Sequence, residues 1–132
     1  MCKIGDIILV DNYKDNGCNL NKHSFIVIED ENGTIEGVPY DFICNVMSSF
    51  KNDEQKLRKL RYPGNFPISH NDTVTDPHNT KDGFVKTDQL YYFKKDNINF
   101  KVIGNVIPEV LDMIFDFIEN SDFEFSHIID NL

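Results

Sequence analysis

Asn99-Phe100-Lys101-Val102-Ile103-Gly104-Asn105-Val106-Ile107-Pro108-Glu109-Val110-Leu111-Asp112-Met113-Ile114-Phe115-Asp116-Phe117-Ile118-Glu119 carries two hydrophobic periods in one run. Up to Val106 the apolar residues come in the short, β-branched bursts of a strand. Beyond Pro108, Val110, Leu111, Ile114, Phe115 and Ile118 fall at i, i+1, i+4, i+5 and i+8, one face of an α-helix. Asp112, Asp116 and Glu119 take the opposite face. Proline suits the first helical turn, because the N–H it lacks would have no intrahelical partner there. Everything before residue 107 keeps the short pattern. The chain therefore reads as mainly β: about six short strands closed by one C-terminal helix, the outline of a small β-barrel.

Working toward the N-terminus, Gly83–Thr87 and Gln89–Phe93 read as strand with Asp88 between them. Residues 65–82 are polar apart from a short strand near Phe66–Ile68, and read as a mobile loop. Asn52–Arg61 reads as a short helix with Asn52 as its cap and acids in the first turn, stopped by Tyr62-Pro63-Gly64. Phe42–Met47, Ser24–Ile28 and Ile4–Val10 read as strands. Asp30-Glu31-Asn32-Gly33 ends the Ser24–Ile28 strand with an Asn-Gly turn signal. Asp11–Asn21 has the composition of a polar loop, and Phe123–Leu132 reads as a further helical turn or two.

The chain has 132 residues, enough for one domain and its core: a barrel over about 1–106, then a helix and acidic tail over 107–132. No apolar run reaches the ~20 residues of a membrane span. Met1–Asp6 does not read as a signal peptide, so a cytoplasmic location without membrane contact is expected. Cys2, Cys18 and Cys44 form an odd set with no CxxC, which suggests neither a disulfide framework nor a zinc knuckle. The net charge of -9 argues against a simple nucleic-acid binder, whose footprint is basic. Its distribution softens the objection. Residues 105–132 hold seven acids and no Lys or Arg, which leaves the body near neutral. Lys51–Arg61 holds five bases against two acids.

Three polar groups lie at strand ends, where barrel loops converge on a rim. Lys22-His23-Ser24 opens a buried strand, Ser48-Ser49 closes another, and Lys86-Thr87-Asp88-Gln89 interrupts an apolar stretch. Together they offer an imidazole, hydroxyls, an ammonium and a carboxylate, a set able to process a phosphodiester. Each also has a plain structural reading: an edge histidine, an N-cap pair, a bulge or turn. His70, Asp72, Asp76 and His78 contain zinc-type ligands, but at a spacing that matches no metal motif, so no metal or other cofactor is expected. Cys44, inside an apolar strand, reads as an inert core thiol.

In order and spacing the sequence resembles the MazF/PemK (Kid) family of toxin endoribonucleases from bacterial toxin–antitoxin pairs. Gly5-Asp6-Ile7-Ile8-Leu9-Val10 is similar to that family's opening strand. Lys22-His23-Ser24-Phe25-Ile26-Val27-Ile28 stands where the family has Arg-Pro and a buried strand. Phe42–Ser48 stands where a hydrophobic strand ends in Thr or Ser, and Gly83-Phe84-Val85-Lys86-Thr87-Asp88-Gln89-Leu90 resembles the family's Gly-x-Val-x-x-Asp/Glu-Gln strand. Residues 108–120 match its C-terminal helix. The resemblance implies an SH3-like β-barrel of the MazF/PemK/CcdB type, usually a homodimer. It implies cleavage of single-stranded RNA without metal, by 2′-OH attack that leaves 2′,3′-cyclic phosphate and 5′-OH ends. It also implies a cognate antitoxin, protein or RNA.

On this resemblance His23, Ser48 and Asp88 are the catalytic candidates, and Lys22, Ser49 and Lys86 assist at the phosphate. Ser48 stands for the family's hydroxyl, Asp88 for a carboxylate base and Lys86 for a basic residue. His23 replaces the family's arginine. An imidazole exchanges protons near neutrality but lacks the bidentate fork of a guanidinium. The alternative is a non-catalytic RNA- or protein-binding module that has lost activity at His23. The insert between Ser48 and Gly83 is longer than in compact members, and its basic part borders the expected RNA channel.

Overall fold

The computed structural model describes residues 2–132. Thirteen strands and two helices follow one another: β1 (Asp6–Val10), β2 (Tyr13–Asp15), β3 (Cys18–Leu20), β4 (His23–Glu29), β5 (Gly33–Ile35), β6 (Val38–Tyr40), β7 (Phe42–Ser49), α1 (Asp53–Lys59), β8 (Asn65–Ile68), β9 (Thr73–Thr75), β10 (Gly83–Lys86), β11 (Gln89–Phe93), β12 (Phe100–Val106), α2 (Pro108–Glu119) and β13 (Ser126–Ile128). The fold is mainly β, as the hydrophobic periods predict. The strand count is about twice the expected six, because short polar segments also pair.

Two of those segments are hairpins. The polar run Asp11–Asn21 folds back as β2–β3 around Asn16-Gly17, and β5–β6 turns at Glu36-Gly37. All four turn residues have positive φ. That geometry matches the twist of paired strands and favours glycine. The tail also departs from expectation. Where further helix was predicted, Ser126–Ile128 lies parallel to Gln89–Tyr91 as an edge strand.

The principal sheet runs β13-β11-β7-β4-β1-β12-β9 and curls into a half-barrel. β7 is its branch point. The first half of β7 pairs with β11 and its last three residues pair with β10, which in turn carries β8. Between β10 and β11 the chain steps out of the ladder at Thr87-Asp88. Asn45, fully buried on β7, spans the step by donating to the carbonyls of Thr87 (3.4 Å) and Gln89 (3.0 Å).

Two apolar clusters lie on opposite faces of β1 and β4, which explains why both read as continuous hydrophobic runs. Ile8, Val10, Phe25 and Val27 face a core with Phe42, Cys44, Tyr91 and Phe93. Ile7 and Ile26 face a second core with Val85, Val106 and Ile114. Through Ile114, α2 covers the end of this second core where β12 finishes; Pro108 occupies its first turn as expected. Asn52 caps α1 through its side-chain oxygen, which accepts from the Gln55 amide at 2.7 Å. Among the described residues no helix is long and apolar enough to cross a membrane.

Candidate active site

The second core opens to a cleft that no residue of α2 lines. There β1 and β7 end, while β4, β10 and β12 begin. β4 and β7 are in register at Phe25–Val46, and beyond that pair β7 follows β10 instead. The cleft, of about 590 Å³, occupies this opening. Its walls carry Lys22 and His23 from the start of β4, Ser48 and Ser49 from the end of β7, Lys101 from β12, and His78 and Lys81 from the segment after β9. No aspartate or glutamate lines it among the described residues. In a chain of net charge -9 this is a local reversal of sign. The nearest acid to these lysines is Asp11, whose carboxylate lies 3.8 Å from the Lys22 ammonium, with both groups exposed.

Strand alternation sorts the side chains. Ser24 is opposite Leu9, and Ser49 is opposite Gly83 on the face of Met47, so both belong to the cleft face. His23 is opposite Val10, and its ring meets Tyr13 edge-on at 5.8 Å. Ser48 is opposite Phe84. Continuing the Phe25–Val46 register by two residues sets His23 across from Ser48. The strand tips thus turn Ser24 and Ser49 to the cleft face and His23 and Ser48 to the other face, and all four border the cleft where the strands end.

The third predicted group lies elsewhere. Lys86 shares the face of Ser48 and Phe84 but sits at the far end of β10, paired with Asn65. Asp88 packs against the Tyr62-Pro63-Gly64 turn, so closely that a Cβ on Gly64 would overlap its carboxylate. The Thr87 hydroxyl ties the same turn by donating to the Gly64 carbonyl at 2.6 Å. The structure therefore joins Lys22, His23, Ser48 and Ser49 in one cleft and leaves Lys86 and Asp88 outside its lining. Of the three polar groups at strand ends, two border the cleft and the third does not. The bases of Lys51–Arg61 lie on and around the exposed α1, also outside the lining.

Sequence patterning does not single out Lys101 or Lys81, or the position of His78 in the cleft wall. Lys101 sits in a strand whose register cannot be read from one chain. The segment after β9 was expected to be a mobile loop, yet it is tied down. The Thr75 hydroxyl donates to the Pro77 carbonyl (2.9 Å) and accepts from the Asn79 amide (2.9 Å). The Asn79 side chain accepts from the Lys81 amide at 3.1 Å. Asp82 accepts from the His70 backbone (3.0 Å) and ring (2.8 Å). These bonds hold the Asp82 carboxyl below its usual range, the His70 backbone N–H contributing most. His70 is thus engaged with Asp82, and no three of the described His, Cys, Asp and Glu side chains gather as a metal site.

The chain matches no family model, no curated protein and no solved structure. Its chemistry is read from the cleft itself. Ammonium groups and hydroxyls without carboxylates favour an anionic ligand, and two imidazoles add ring nitrogens that donate or accept hydrogen bonds.

In the first core, the Tyr91 hydroxyl donates to Asp15 at 2.8 Å and stands 3.5 Å from the Gln89 side-chain oxygen. Burial, followed by the bond to Asp15, pushes the Tyr91 phenol far up, so it stays a donor. Cys44 is fully buried and its thiol is pushed well up by desolvation, in keeping with an inert core residue.

Proposed function

We propose that this protein is a MazF/PemK-like endoribonuclease built on an SH3-like barrel, acting in the cytoplasm as a homodimeric toxin with a protein or RNA antitoxin. The observation that carries the reading is the cationic, carboxylate-free cleft at the tips of β4 and β7, in a chain of net charge -9. A polyanion is the ligand such a cleft selects. Cleavage follows from 2′-OH attack on the adjacent phosphorus, giving a 2′,3′-cyclic phosphate and a 5′-OH. The step needs a base, an acid for the leaving oxygen, and donors for the phosphoryl oxygens. His23 is the acid. Ser48, Ser49 and Lys22 are the donors. Asp88, held against Gly64, has no part in the step.

The test is incubation of an unstructured RNA with purified protein in excess EDTA, at about pH 6.5 and about pH 8. The reading expects discrete fragments ending in cyclic phosphate, slowed about 10²-fold or more by His23→Ala. Intact RNA with a salt-dependent gel shift would select the non-catalytic binding module instead.

A further inference from the structure

Transfer of the 2′-proton needs a second group in the cleft, and Asp88 is not there. Of the remaining lining residues, only His78 carries, like His23, an imidazole. We infer that His78 is the general base of the cleft, an inference that rests on the endoribonuclease reading. Its placement is built rather than incidental. The Thr75 hydroxyl clamps the backbone on both sides of it, at Pro77 and at Asn79. The next turn of chain presents Lys81 through the Asn79 side chain. The His78 ring makes no hydrogen bond to any described residue and is exposed, so it is free to accept a proton. The other charged or imidazole groups that line the cleft are Lys22 and His23 of β4, Lys101 of β12 and Lys81 of its own segment, with Asp76 two residues before it.

The balance is simple. His78 takes the proton from the 2′-hydroxyl as the O2′–P bond forms. The P–O5′ bond breaks, and protonated His23 delivers its proton to O5′. Water or buffer then returns each imidazole to its starting state. The lysines that line the cleft are the groups available to hold the phosphate.

The experiment compares single-turnover cleavage by wild type, His23→Ala and His78→Ala on two RNAs, one natural and one with sulfur in place of the bridging 5′-oxygen at the cut site. A thiolate leaves without a proton. His78→Ala is expected to cut both substrates about 10²–10⁴-fold more slowly than wild type. It is also expected to lose the acidic limb of the pH–rate profile and to regain activity with added imidazole. His23→Ala is expected to recover on the sulfur substrate alone. A folded His78→Ala with wild-type rates and an unchanged profile overturns the inference and leaves the endoribonuclease reading standing. Imidazole-insensitive loss with the acidic limb intact also overturns it, by making His78 structural. A wild-type protein that leaves both RNAs whole overturns the two together.

Discussion

A Cβ at position 83 would overlap the Ser48 carbonyl oxygen and crowd the Ser49 backbone, so glycine is required where β10 meets the tip of β7. The obstacle is backbone, which a rotamer change cannot relieve. Gly83→Ala should therefore destabilise the fold by about 1–3 kcal/mol. It should slow cleavage more than that loss explains, because both serine hydroxyls move with the strand. Urea unfolding beside RNA cleavage measures the two effects; wild-type activity in a destabilised variant would separate the serines from the chemistry. His23, Ser48 and their neighbours Lys22 and Ser49 were legible in the sequence, because each marks the end of an apolar run. Asp88 was misplaced for the same reason that made it noticeable. A polar pair inside a strand is as well explained by a ladder break, and here Asn45 and Gly64 hold that break together.

At the scale of elements, the signals that succeeded were long ones. The period of α2 and the two-faced hydrophobicity of β1 and β4 survive any change of register. Short paired segments escaped. Asn16-Gly17 is a hairpin turn signal that lay within what reads as a polar loop, while Glu36-Gly37 offers weaker warning because Glu rarely takes positive φ. Three-residue β13 has no period to detect. The role of α2 yields a direct test. Ile114 is fully buried where α2 meets Ile7, Ile26 and Val85. Ile114→Ala should cost about 2–5 kcal/mol, the range for truncating a packed aliphatic side chain. Since the proposed reacting groups lie on β4, β7 and the segment after β9 and none on α2, kcat at a temperature where the variant stays folded should hold. A large kcat loss in folded Ile114→Ala would mean that α2 and the cleft are coupled.

At the scale of the whole molecule, the second core is covered in part by an acidic helix and in part opens to a cleft lined by ammonium and imidazole groups. The sequence shows the acidic tail at once but hides the cationic cleft. Its charges come from β4, β12 and the segment after β9, far apart in the chain and joined only by strand register. Substrate steering follows from this layout, since the acidic helix repels the backbone that the cleft attracts.

The chemistry proposed for the cleft depends on one atom of the substrate, the 2′-oxygen next to the scissile phosphate. The most direct measurement uses an RNA with a mapped cut site, remade with 2′-deoxyribose at that single position and incubated with the wild-type protein in excess EDTA. The account predicts that cutting stops at that position and continues at every other site. Undiminished cutting at the deoxy position would contradict it, because the nucleophile would then come from elsewhere.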